Sequence, residues 1–156
     1  MKFNYINDTD FKLFLTNNYF DEVNYESKEE LMILLKSIIL KLKKNYSVVV
    51  SGLYEVDIYI LRNIGIEFLF TKSENYSFTN KVIDLKMTIH LNPNIYLKFN
   101  NYDYISNYKE IRYHEGSFYL KADNLEQSDF IILSDFYNII IDEEEAIDNY
   151  LLLEKN

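Results

Sequence analysis

Two hydrophobic rhythms run through this 156-residue chain. Over most of its length apolar residues recur every second position, the spacing of half-buried strands; in one stretch they recur at the spacing of a helix face. Phe3 and Tyr5, then Phe11, Leu13 and Leu15, alternate with polar neighbours around Asp8-Thr9-Asp10, which predicts an opening hairpin. The helical stretch is SKEELMILLKSIILKLKKNY, residues 27–46. Ser27 and Glu30 hold the two positions of a capping box. Leu31, Leu34, Leu35, Ile38 and Leu42 form one apolar stripe. Glu29 and Glu30 sit near the positive end of the helix dipole and Lys41, Lys43 and Lys44 near the negative end. Helix-end stabilisation therefore accounts for the basic cluster without a bound phosphate.

Strand patterns follow. Val56, Ile58 and Ile60 alternate with Glu55, Asp57 and Tyr59, and Ile66, Phe68 and Phe70 with Glu67 and Leu69. A loop at Asn63-Ile64-Gly65 puts both apolar sets on one face, with Gly65 in the left-handed region. A two-residue loop at Arg62-Asn63 would instead oppose Asp57 and Phe68. Gly52 marks a bend or bulge. In KVIDLKMTIHL, residues 81–91, Ile83, Leu85, Met87, Ile89 and Leu91 share the core face, while Val82, Asp84, Lys86, Thr88 and His90 face away. A turn at Asn92-Pro93-Asn94 pairs them with Ile95, Leu97 and Phe99. A last hairpin turns at Glu115-Gly116, with Tyr113 opposite Phe118 and Ile111 opposite Leu120.

The tail, residues 124–156, reads as helical in two pieces. Phe130, Leu133, Phe136 and Tyr137 give the stripe of the first. Asp142 caps the second, with Glu145 at the capping-box position and Ile147, Tyr150 and Leu151 inward. A strand over 137–141 is the alternative for the middle. The sum is an α+β fold, in which an antiparallel sheet of consecutive hairpins packs on one amphipathic helix at about 27–46, followed by C-terminal helical segments. Without a linker or repeat, the chain reads as one compact domain, 1–156.

Charge adds an asymmetry that the hydrophobic pattern does not show. Residues 1–122 carry 15 acidic and 15 basic side chains, whereas 123–156 carry 10 acidic residues and Lys155 alone, so the net charge of −9 resides in the last segment. That segment repels nucleic acid and anionic membrane and attracts basic partners. Lack of cysteine excludes disulfides and thiolate chemistry. Neither a long apolar run nor a signal-like start is present, which points to a cytoplasmic protein without membrane contact. Aromatics make up 17% of the chain, as 15 Tyr and 11 Phe. AT-rich codons would favour Tyr, Asn, Ile and Lys together, so the excess is not by itself functional.

Three glycines cannot build a phosphate loop or a dinucleotide fingerprint in its usual form, and neither a zinc-protease nor a nucleophile-elbow motif occurs. His90 and His114 fall on outward faces at unrelated positions, as surface histidines do, so neither a metal nor a cofactor is implied. Glu55, Asp57, Glu67 and Asp84 share an outward face, the starting point for a Mg²⁺-dependent nuclease reading. Outward Tyr59, Tyr96, Tyr102, Tyr104 and Tyr119, with Lys86, Lys98, Lys109 and Arg112, would suit single-stranded nucleic acid, but the neutral body and acidic end oppose it. The favoured expectation is a small non-catalytic regulator or inhibitor that binds a protein with a basic surface. A sharper version is an acidic mimic of nucleic acid, of the kind phage inhibitors of bacterial defence employ. The candidate contact residues are Tyr96, Tyr102, Tyr104, Asp142, Glu143, Glu144, Glu145 and Asp148, combining rigid aromatic area with charge.

Overall fold

The computed structural model describes residues 1–16, 27–48, 50–61, 64–73, 83–90, 94–142 and 145–154. The fold is α+β, as the patterns imply, but its strands form two sheets of five. In chain order they are β1 (Lys2–Tyr5), β2 (Phe11–Thr16), β3 (Gly52–Leu61), β4 (Gly65–Lys72), β5 (Ile83–His90), β6 (Ile95–Phe99), β7 (Arg112–His114), β8 (Ser117–Lys121), β9 (Tyr137–Ile141) and β10 (Leu151–Leu152). The two α-helices are α1 (Lys28–Tyr46) and α2 (Gln127–Leu133). The first sheet runs β1-β2-β4-β3-β5 and the second β10-β7-β8-β6-β9.

α1 begins where its cap signals place it, with Ser27 Oγ accepting from the Glu30 amide at 3.4 Å. Leu31, Leu35, Ile38, Ile39 and Leu42 are buried against Phe11, Leu13, Leu15, Val56, Ile58, Ile66, Phe68 and Phe70 of the first sheet. Each fully buried side chain of this size stabilises by about 1.5–3 kcal/mol relative to leaving it in water.

The second core lies on the other side of the first sheet. There Phe14, Leu61 and Ile64 join Ile95, Leu97, Phe99, Leu120, Phe130 and Tyr137. Strand β2 is thus covered on both faces: Phe11, Leu13 and Leu15 face α1, while Phe14 stacks on Phe130 at 5.4 Å.

The β3–β4 hairpin has the expected parity but a register two residues from that of the expected loop, with Ile58 opposite Phe68 and Leu61 opposite Gly65. Gly65 does not take a positive φ. Close packing requires it instead, since a Cβ at this position would lie 2.2 Å from the Leu15 carbonyl oxygen. Its expected loop partner Asn63 lies outside the described residues, as do Val82, Leu91, Asn92 and Pro93.

The largest correction concerns β5. Instead of forming a hairpin with β6, it runs parallel to β3, from Gly52 opposite Ile83 to Tyr59 opposite His90. Leu85, Met87 and Ile89 still pack toward the α1 core. Alternation fixes the face a strand buries, not the strand it pairs with, so the facing survives although the partner differs. β6 instead lies between β8 and β9 in the second sheet.

The β7–β8 hairpin matches the sequence reading, with Tyr113 opposite Phe118 and His114 opposite Ser117. Glu115 and Gly116, at φ 46° and 80°, supply the two left-handed positions of its tight turn.

The tail departs from the two-helix expectation. α2 is short, residues 137–141 form a strand beside β6, and the second helix is reduced to a single 3₁₀ turn, Ile147–Asn149. Phe99, Leu97 and Ile95 offer β9 a ladder of backbone partners, which a helix over 137–141 would forgo.

Candidate functional site: an exposed aromatic pair and a buried polar seam

The segment after β6 turns outward. Asn101 Oδ1 accepts from the Asp103 amide at 2.9 Å and starts the 3₁₀ turn Tyr102–Tyr104. Ile105 at its end is fully buried and anchors the turn to the second core. The two tyrosines diverge from there. Tyr102 is half-buried against Phe118, with ring centroids 5.5 Å apart. Tyr104 remains 45% exposed and lies flat on Phe136, centroids 4.0 Å apart and planes 14° from parallel.

Phe136 is itself 41% exposed. It occupies the turn after α2, between Leu133 and Tyr137, both buried in the second core. The stacked pair is therefore held by buried residues on either side while its own rings meet water. Each ring follows an exposed carboxylate in the chain, Asp103 before Tyr104 and Asp135 before Phe136. Asp135 forms a long ion pair, 3.9 Å to Lys2, and both side chains are partly open to solvent.

The other tyrosine of the expected surface is covered. Tyr96 points away from the main core, as its register requires, but is only 2% exposed. Ile147 and Tyr150 of the C-terminal segment pack over it with Tyr119. Its hydroxyl donates to Asp148 Oδ1, and burial together with that hydrogen bond pushes the phenol well above its usual range. Lys121 lies 4.0 Å from Asp148, and its ammonium stands over the Tyr96 ring. Tyr96 thus faces outward in the second sheet without being exposed.

The expected acidic contacts also separate. Asp142 is buried and accepts from the amides of Ala146 and Ile147 at 3.0 and 2.8 Å, so it caps the terminal turn. Glu145 is exposed in a left-handed conformation. Asp148 is committed to Tyr96 and Lys121. Glu143 and Glu144 lie outside the described residues.

A second polar arrangement, not foreseen as a unit, lies between the sheets. Glu67 is 3% exposed and accepts from the Tyr137 hydroxyl at 2.6 Å. Lys12 lies 3.9 Å from Glu67, donates to the Tyr137 carbonyl at 2.9 Å and stands 3.9 Å from the centre of the Tyr137 ring. Desolvation is the main influence on both charges, pushing the Glu67 carboxyl up and the Lys12 ammonium down, while their mutual attraction opposes each shift.

Beside it, Tyr59 stacks on His90 at 4.8 Å, and His90 Nε2 lies 2.9 Å from Asp57 Oδ1. Two of the carboxylates read from the sequence as sharing one face, Asp57 and Glu67, therefore enter separate partnerships. Among the described residues, no group of three or more His, Cys, Asp or Glu side chains is placed to hold a metal ion. The cavity at this seam is about 70 Å³ and is lined by Lys12, Tyr59, Glu67 and Tyr137, among others. It suits a few waters, well below the 300 Å³ or so at which ligand pockets begin.

Phe14 is the sequence signal for this seam. It breaks the polar alternation of β2, and Tyr59 and Leu69 do the same on the neighbouring strands, which marks the supposedly wet face as covered. Among the described residues, no helix is long and apolar enough to cross a membrane. No protein-family model, curated protein or solved structure matches the chain.

Proposed function

We propose that this chain is a small non-catalytic regulator that binds a protein partner bearing a basic surface. One observation carries the reading: the Tyr104–Phe136 stack stands open to water, anchored from beneath, and each ring directly follows an exposed carboxylate in the chain. Aromatic side chains with few rotors give large contact area at small entropic cost and dominate the energetics of many interfaces. The negative charge concentrated in residues 123–156 would steer a basic partner toward that segment, most strongly at low salt. The polar seam supports a structural role rather than catalysis, because its carboxylate, ammonium and phenol satisfy one another around a cavity too small for a substrate.

The test is co-purification from the native host with wild-type chain and with the Tyr104→Ala/Phe136→Ala variant. A partner held by wild type, released by raised salt and lost with the variant is the expected result. An identical set of captured proteins from both chains would overturn the assignment of this surface.

A further inference from the structure

The open aromatic stack has a geometry that selects among the chemical groups it could receive. A flat ring face favours another flat group, which leaves three natural candidates: a nucleobase, an aromatic side chain and a guanidinium. A nucleobase arrives on a phosphate backbone, which the −9 net charge repels. An aromatic side chain would gain stacking area but nothing from the carboxylates of Asp103 and Asp135. A guanidinium gains from both, since it stacks on π faces and pairs with carboxylates through its planar donor fork.

An ammonium also feels the ring quadrupole, but it is more strongly hydrated and cannot lie flat. We infer that the Tyr104–Phe136 stack is an arginine-binding platform, on which a partner's guanidinium lies against an open aromatic face and pairs with the carboxylate of Asp103 or Asp135, the exposed residues that precede the two rings in the chain. The inference rests on the proposed binding role and specifies its chemistry. It predicts discrimination between arginine and lysine, which a diffuse acidic field would not provide.

Titration calorimetry at low salt, with a short Arg-Gly repeat peptide, its Lys-Gly counterpart and a thymidine oligonucleotide, separates the outcomes. The Arg peptide should bind roughly two- to fivefold more tightly than the Lys peptide. Tyr104→Ala/Phe136→Ala should abolish that preference, while Tyr104→Phe should keep it. Urea midpoints identify any variant that fails to fold. Asp103→Asn/Asp135→Asn, which keeps the rings, should weaken binding of both peptides and so provides a second route to the answer. Equal binding of Arg and Lys peptides would overturn the guanidinium platform and leave the basic-partner reading standing. Binding of neither peptide would overturn both, and preferential binding of the oligonucleotide would replace the guanidinium with a nucleobase.

Discussion

The Tyr137 hydroxyl donates to Glu67 at 2.6 Å across the space between the two sheets, and the same tyrosine accepts from Lys12 through its backbone carbonyl. One residue of β9 thereby closes a buried ion pair formed by β2 and β4. Removing one member strands another, so Glu67→Ala should destabilise by about 3–5 kcal/mol, the usual cost of orphaning a buried charge. Tyr137→Phe should cost less, about 1.5–3 kcal/mol for a hydrogen bond to a charged acceptor. Lys12→Met combined with Glu67→Leu should recover most of the loss, because no buried charge remains. Urea denaturation of the four proteins, wild type included, measures all of this. A double variant weaker than Glu67→Ala would show that the pair, and not merely its completeness, is required.

Alkaline pH should act on the same region through the tyrosines. Burial is the main cause holding the phenols of Tyr137 and Tyr96 above the ordinary value of 10.0, and it pushes Tyr59 up to about 12. Burial, aided by the hydrogen bond to Asp129, likewise pushes Tyr108 to about 12. A raised folded-state pKa means the folded chain keeps a proton that the unfolded chain has released. The stabilisation is therefore fully present below pH 10 and is lost as pH rises through the folded values. Ultraviolet titration of phenolate, run beside circular dichroism, should show these tyrosines ionising together with unfolding. Ionisation of all 15 tyrosines at their ordinary pH, in a chain that stays folded, would contradict the covered positions of Tyr96 and Tyr137.

The glycines separate two kinds of constraint. Gly65→Ala would press its Cβ against the Leu15 carbonyl and should cost about 1–3 kcal/mol by overpacking, with the pairing of β2 and β4 bearing the strain. Gly116→Ala meets open space but must hold φ near +80°, a cost of about 1–2 kcal/mol. Gly116→Asn should recover part of the loss, as asparagine tolerates that region, whereas Gly65→Asn should be worse than alanine. Thermal melting of the four variants distinguishes the two mechanisms.

The C-terminal segment should behave as a strap with few attachments. Beyond the two β10 residues, Asp148 holds Tyr96, the Arg112 guanidinium donates to the Tyr150 carbonyl at 3.1 Å, and His114 stacks on Tyr150 at 4.1 Å. Asp142→Ala removes the side-chain acceptor of two amides and should destabilise the segment by about 1 kcal/mol. Hydrogen exchange over 145–154 should then accelerate in Asp142→Ala and Asp148→Ala, while α1 keeps its protection. Equal acceleration everywhere would show that the segment unfolds only with the whole protein.

Period and capping carried much of the fold in the sequence. The α1 stripe, the opening hairpin and the Glu115-Gly116 turn are local, and each is specified by residues close together in the chain. What long-range pairing decides was hidden there. β5 takes β3 as its partner although its alternation suits either sheet, and 137–141, which the pattern leaves open to either a helix or a strand, becomes a strand because β6 offers it an edge. The same limit applies to the site. Parity correctly turned Tyr96 away from the main core, but nothing local to it shows that Ile147, fifty-one residues on, covers it. Tyr104 emerges as the exposed member because a 3₁₀ turn, and not a strand, carries it outward.

If the open face of Tyr104 and Phe136 is where a partner docks, a photo-crosslinking amino acid placed at position 104 in the full chain and irradiated in native host extract will capture that partner. A control at Tyr46, similarly exposed at the end of α1, reports non-specific capture. A discrete protein adduct at 104 alone is expected, diminished by raised salt and by Phe136→Ala, with the cross-link mapping to a basic, arginine-bearing surface. Absence of an adduct at 104, or the same adducts from both positions, would contradict it.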